Sequence, residues 1–411
     1  MKLDTTRTAI TNVRLLDPTT ETVSEPTTVR FSGDRIVSVG GPTGPSDASA
    51  DVYDARGRIA VPGLIDAHVH VLANTANLAS LGEESPAYLT ATAINTMQGA
   101  LRRGFTTLRD AGGADHGLAR AVREGLFTAP RLYFGGKALS QTGGHADMRG
   151  PGTHVLDRHQ CCPHIGMVCD GVDEVRRGAR QNIRTGADHI KVMLSGGVAS
   201  PTDRIDSTQY SDEEIRAIVE EANAANRYVL GHAYTARAIN RGLELGVRSI
   251  EHGNLLDDES IRLFVEHDAF LVPTIVTYER LKAEGIQHGL PAESRDKVDT
   301  VLYAGIDALA KADAGGVNIA YGSDLLGDMW TWQSREFAIR AQVQTPGAVL
   351  RSATVVGAAL LQAEGELGVI AEGAYGDIVL LERNPLEDIS VLSDPENSVA
   401  AVFSRGGLVT N

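Results

Sequence analysis

A chain of 411 residues with 42% hydrophobic composition can bury a large core, and its length suits one barrel with a smaller appended unit better than three independent domains. Its formal net charge is -15, with Lys and Arg dispersed instead of gathered in runs, which disfavours nucleic acid and anionic membrane surfaces and leaves a small molecule as the expected partner. Residues 1–18 hold no apolar signal core and no later run reaches the length of a membrane span, so the expected location is the cytoplasm.

From residue 9 to about 61 the chain reads as short strands with turn signals: alternation in Ala9-Ile10-Thr11-Asn12-Val13-Arg14, then Gly33-Asp34 and Gly40-Gly41-Pro42. The tail repeats that character in Gly376-Asp377-Ile378-Val379-Leu380-Leu381 and Val399-Ala400-Ala401-Val402-Phe403. The two ends are therefore expected to pair into one small β-sandwich, residues 1–61 with 366–411. Between them, over 62–365, short apolar runs alternate with amphipathic stretches, the pattern of a parallel sheet covered by helices. The runs are 64–71, 106–110, 131–134, 189–193, 228–232, 249–252, 270–274 and 318–322. Helices are expected over 86–103, 172–185, 211–225 with Ser-Asp-Glu-Glu at its start, 235–245, 257–266 and 292–314. Strands each followed by a helix, eight times over, describe an α/β fold, the (β/α)8 TIM barrel.

The three cysteines, Cys161, Cys162 and Cys169, fall in one short segment, which argues against a disulfide framework. Reduced structural thiols are the plain reading and a zinc-thiolate site the alternative.

Chemistry is expected at the C-terminal strand ends, the active face of this fold. In Val61-Pro62-Gly63-Leu64-Ile65-Asp66-Ala67-His68-Val69-His70 the two histidines, two apart on a strand, project from one side as a candidate metal clamp. Alone this is a weak signal, since His pairs also occur in ordinary loops. Other polar residues sit at or just past apolar runs: Lys191 in His189-Ile190-Lys191-Val192-Met193, His232 in Leu230-Gly231-His232, His252 in Ile250-Glu251-His252, and Asp324 in Gly322-Ser323-Asp324. A Lys between Ile and Val in a buried strand is costly as an ammonium, so it is neutralised, paired or modified, unless it snorkels out to solvent.

With these residues in view, the chain resembles the amidohydrolase superfamily over nearly all its length. The resemblance matches His68 and His70 to the family's HxH, Lys191 to its bridging lysine, His232 and His252 to its single histidines, and Asp324 to its last-strand aspartate. It implies that Lys191 is carboxylated by CO2 and bridges two divalent metals, zinc first, with manganese or cobalt as substitutes. His68, His70 and Asp324 would hold one metal and His232 and His252 the other. It also implies hydrolysis by a metal-activated hydroxide, with Asp324 as general acid and base or as a ligand only.

Local stretches are most similar to the branch of imidazolonepropionase-like proteins, Xaa-Pro and other Xaa-amino-acid dipeptidases, and ochratoxin-type N-acyl amino acid amidohydrolases. They are Gln141-Thr142-Gly143-Gly144-His145-Ala146-Asp147, Ser195-Gly196-Gly197-Val198 and Gly231-His232-Ala233-Tyr234. That likeness implies that His145 holds the scissile carbonyl and Tyr234 the substrate's carboxylate. The alternatives are a loop histidine steadying the glycine turn and a tyrosine packed on the next helix. Trp330 and Trp332 would wall the pocket, or pack elsewhere, and Arg204 would reach its mouth, or stay solvated. Gly112-Gly113 and Gly196-Gly197 lack the phosphate-loop pattern and fit close backbone packing, and no G-x-S-x-G elbow appears. The expected reaction is hydrolysis of a small-molecule amide. Lactone, carbamate or phosphotriester hydrolysis on the same site and a non-catalytic barrel scaffold are the rivals. Related barrels assemble as homo-oligomers, octamers included.

Overall fold

The computed structural model describes residues 1–41, 51–150, 152, 163–290 and 294–410. Cys161 and Cys162 lie outside the described residues, and Cys169 is a buried free thiol.

The barrel strands are, in order, Leu64–Val69, Phe105–Asp110, Arg131–Phe134, His189–Met193, Tyr228–Thr235, Ser249–Leu255, Phe270–Val272 and Asn318–Ile319. The first three pair in parallel, and so do the last five. Two seams join these groups. Asp188 N donates to Phe134 O at 2.8 Å, beside Ala138–Ser140, which resumes the third strand after Gly135-Gly136-Lys137 and meets the fourth at Leu139 and Val192. On the other side Ala67 N donates to Tyr321 O at 2.8 Å and Asp324 N to His68 O at 2.9 Å, which closes the (β/α)8 barrel.

The third and fourth strands begin and end where the sequence places them. The fifth and sixth run three residues further, carrying Tyr234 and Asn254 within the strands. The seventh and eighth stop short. Thr274, at φ +46°, turns the chain directly into helix Ile275–Glu284, and residues 320–324 continue without ladder pairing.

Helices Pro86–Arg102, Val172–Arg184, Asp212–Ala224, Ala236–Glu244 and Asp258–Glu266 match expectation to within a residue at most ends. Arg295–Ala314 falls inside the expected 292–314, of which 292 and 293 are not described. Ser211 accepts from Glu214 N while the Glu214 carboxylate accepts from Ser211 N, so the acidic start of that helix is a capping box. Helices His116–Arg123, Arg335–Arg340, Pro346–Ser352 and Val355–Leu360 were not anticipated, being short.

The two ends of the chain do pair. Lys2–Asp4 runs antiparallel to Gly407–Thr410, and Ile378–Leu381 lies between Ile59–Pro62 and Val399–Ser404, in a ten-stranded sheet with a core of its own that includes Ile10, Phe31, Ile378, Leu380 and Phe403. Gly63 links this sheet to the first barrel strand. A Cβ there would come within 2.1 Å of Thr106 Oγ1, so only glycine passes. Among the described residues no helix is long and apolar enough to cross a membrane.

Candidate active site

Strand alternation aims His68 and His70 at one face, and each ring is fixed from behind. His68 Nδ1 lies 2.5 Å from Glu251 Oε2, and His70 Nδ1 lies 2.7 Å from the Gly112 carbonyl. Carboxylate and carbonyl oxygens only accept here, so both Nδ1 atoms donate and each Nε2 keeps its lone pair. These Nε2 atoms lie 3.4 and 3.5 Å from Asp324 Oδ1. Burial lowers the His68 ring well below its ordinary value and His70 to about 4, so both are neutral imidazoles, the form that binds a cation.

Glu251 is itself held. Arg109 Nη2 donates to both of its oxygens at 2.9 Å and Ser249 Oγ donates at 2.6 Å, all within the barrel interior. The sequence reading passed over this pair, although Arg109 in an apolar strand posed the same physical question as Lys191: what neutralises a buried charge.

Lys191 is fully buried on the fourth strand, where burial lowers its ammonium against the pull of Glu251 and Asp324. Burial likewise raises the Asp324 carboxyl, against the pull of Lys191. On the fifth strand Tyr228, Leu230, His232 and Tyr234 share a face by alternation. His252 should point the opposite way from Ser249 and Glu251. Its left-handed backbone, φ +76°, instead brings its ring centroid to 5.0 Å from that of His68 and 4.5 Å from that of His232. Its Nδ1 lies 2.8 Å from Thr274 Oγ1, and burial lowers both the His232 and His252 rings well below the ordinary range.

One cleft is lined by His68, His70, His145, Lys191, His232, Tyr234, His252 and Asp324 together. Its remaining wall is apolar, with Leu78, Met148, Ile165, Met193, Val198, Leu281 and Leu326. Tyr278, from the helix after the seventh strand, also lines it, and its hydroxyl donates to that of Tyr234 at 3.0 Å. Nothing in the sequence pattern marked Tyr278, because the helix carrying it begins directly after the run read as strand, where no helix was expected.

The tryptophans do not wall this cleft. Trp330 is buried in the core, and Trp332, 42% exposed, lies under the Arg280 guanidinium at 4.3 Å. Short 3-10 geometry over Gly327–Trp332 directs them away, and Leu326 takes the wall position. Arg204 pairs with Asp206 at 2.8 Å with its side chain 82% exposed, so it is a solvated loop residue.

The donors present fit a divalent cation. One ligand atom each from His68, His70 and Asp324 lies within 4.8 Å of the others, with the two imidazoles neutral and pre-oriented.

The amidohydrolase family model matches residues 59–409. Ochratoxinase of Aspergillus niger is 34% identical over 85% of this chain and 75% of its own length. Among solved structures, a prolidase complexed with N-methylphosphonate-L-proline is 47% identical, with a TM-score of 0.95 over 98% of this chain and 99% of that one. A Xaa-Pro dipeptidase with bound methionine in its active site is 29% identical, with a TM-score of 0.88 over 98% and 99% of the two chains. The barrel, the clustered His and Asp donors and these likenesses agree, and the chain belongs to the amidohydrolase family of hydrolases.

Proposed function

We propose that the chain hydrolyses the amide bond of a dipeptide or N-acyl amino acid, aromatic and ochratoxin A-like substrates included, at a centre of two divalent cations. The observation that carries this reading is the convergence of six donor residues, from the first, fourth, fifth, sixth and eighth strands, on one cleft. The likeness to ochratoxinase and to the prolidase supports the substrate class.

On this reading His68, His70 and Asp324 would hold one cation, His232 and His252 the other, and carboxylated Lys191 would serve as a ligand to both, with zinc favoured by the donor set. Burial favours the neutral Lys191 amine. Its nitrogen lone pair bonds to the carbon of CO2 as one C=O π pair moves onto oxygen, and the proton released from nitrogen passes to solvent, so an anionic carbamate replaces the neutral amine. Bound divalent cations supply Lewis-acid activation of water and of the scissile carbonyl. The Asp324 carboxylate takes the proton of the attacking water and returns it to the leaving nitrogen, and His145 contacts the scissile group. Tyr234 accepts from Tyr278 and so keeps its own proton to donate to the substrate's carboxylate.

Residues 1–61 with 366–411 form the sheet unit and 62–365 the barrel, a division supported by the separate core of the sheet. Assembly into a homo-oligomer belongs to the same proposal.

Tyr234→Phe is expected to raise KM about tenfold for substrates with a free carboxylate and to leave kcat nearly unchanged, the loss of one hydrogen bond to a charged group. An unchanged KM removes Tyr234 from carboxylate binding. The substrate class is tested with zinc-loaded and chelated protein on Xaa-Pro and Xaa-Phe dipeptides, N-acyl amino acids and ochratoxin A. Chelator-sensitive release of the C-terminal amino acid is expected. No turnover of the panel by metal-loaded protein overturns the amide assignment and points to lactones, carbamates or phosphotriesters.

A further inference from the structure

His145 is held by more than its own loop. The segment between the fourth strand and helix Asp212–Ala224 folds back on itself, with Ser195 bridged to Thr208 and Gly196 N donating to Ser207 O at 3.1 Å. Inside it, Ser200 Oγ lies 2.8 Å from His145 Nδ1 and also donates to Asp203 Oδ1. Gly197 lies flat against the ring, where a Cβ would come within 1.9 Å of His145 Cε1. Gln209 closes the ring of contacts: its Oε1 accepts from His145 N at 2.9 Å and its Nε2 donates to Asp203 Oδ2 at 3.0 Å. Lys297, from helix Arg295–Ala314, pins the loop by donating to the carbonyls of Gly197, Ser200 and Asp203 at 3.2, 3.1 and 2.9 Å.

The direction of each hydrogen follows from counting donors. The Asp203 carboxylate, 3% exposed, receives Gly197 N at 3.1 Å, Gln209 Nε2 and Ser200 Oγ, with the Lys297 ammonium 3.8 Å away. Ser200 has a single hydroxyl proton, and of its two acceptors, Asp203 Oδ1 and the Gly197 carbonyl at 3.4 Å, the carboxylate is the much nearer and the charged one, so the proton points there. Ser200 Oγ therefore faces His145 as an acceptor, and the proton between them sits on Nδ1.

We propose that Ser200 and Asp203 form a positioning relay for His145, which keeps the neutral ring protonated on Nδ1 and leaves Nε2 as its acceptor on the cleft. The consequence rests on the amide-hydrolysis reading, in which His145 contacts the scissile group. With Nε2 bare, the neutral ring pairs with an N–H of the substrate, and this replaces the hold on the scissile carbonyl that the resemblance implied for His145. The role resembles that of a carboxylate that fixes an imidazole tautomer from behind, with a serine hydroxyl interposed.

Asp203→Asn makes a sharp test. Gly197 N and Gln209 Nε2 both donate toward Oδ2, so the amide must turn its oxygen to them and its NH2 to Ser200. Ser200 Oγ then accepts from the amide, its proton turns to His145 Nδ1 at 2.8 Å ahead of the Gly197 carbonyl at 3.4 Å, and the imidazole proton moves to Nε2. Long-range nitrogen–proton correlation spectra of the zinc-loaded, nitrogen-15-labelled protein report the tautomer, with His145 assigned by the signal lost in His145→Asn. The expected result is Nδ1–H in the parent protein and Nε2–H in Asp203→Asn. Protonation at Nε2 in the parent, or the same tautomer in both, overturns the relay, and this readout holds whatever the substrate proves to be.

If Asp203→Asn fails to fold, Ser200→Ala and Ser200→Thr carry the test. Ser200→Ala should lower kcat about tenfold, with KM little changed and with Ser200→Thr, which keeps the hydroxyl, restoring most of the loss. Equal losses in both variants would assign Ser200 to loop packing alone and overturn the proposal.

Discussion

Lys191→Met is expected to abolish hydrolysis, with kcat/KM falling by about 10³-fold or more, while the metal-free protein unfolds at the same temperature as the parent or higher. The two halves of this expectation come from one observation. Lys191 is buried on the fourth strand beside His189 and Met193, where burial disfavours the ammonium. A methionine of similar length fills the same space without a charge to desolvate, so folding loses nothing. What disappears is the nitrogen on which the carbamate forms. Full activity of metal-loaded Lys191→Met would remove the bridging assignment. A large drop in stability of the metal-free variant would instead show that the ammonium is a structural charge paired with Glu251 or Asp324.

Glu251→Gln is expected to cost stability as well as activity. It leaves the fully buried Arg109 guanidinium without its countercharge and weakens the acceptor that fixes His68. Removing one partner of a buried ion pair costs about 3–5 kcal/mol, and disturbing an outer-shell acceptor typically costs about 10–100-fold in metal affinity or activity. Arg109→Met alone should be comparably destabilising, because it strands the carboxylate. The double variant should be more stable than the sum of the two losses predicts, since neither charge is then left alone. Urea unfolding of the four proteins measures this coupling, and strictly additive losses would show that the pair does not act as a unit.

The catalytic face was legible in the sequence wherever strand alternation alone decides a side chain's direction. His68 and His70 stand two apart, so periodicity and a strand boundary sufficed to place them on the cleft, and His232 closes its apolar run, whereas Tyr234, past that run, was marked by the resemblance. His252 and Asp324 were marked by their place at or just past the ends of apolar runs, and only the resemblance gave them a role. Both adopt left-handed backbone, φ +76° and +52°, and alternation would have turned His252 away from the site. Glu251 carried no expectation from the sequence, and it faces the barrel interior and orients His68 from there.

Elements were legible in proportion to their length and capping. The box at Ser211 and Glu214 announced its helix, whereas the six- and seven-residue helices after the eighth strand offer too few turns for a period to register. Of the two readings open for the tryptophans, packing away from the cleft is the one that holds. A 3-10 segment advances differently from the loop that was assumed, and it sends Trp330 into the core and Trp332 under Arg280.

The most direct test of the two-cation centre is the metal content of the protein purified from zinc-supplemented medium, compared with that of Lys191→Met. The account predicts about two equivalents of metal per chain in the parent, and a marked fall, with loss of activity, in the variant. A fully active parent holding one equivalent or none, or a variant that keeps both equivalents together with full activity, would contradict it.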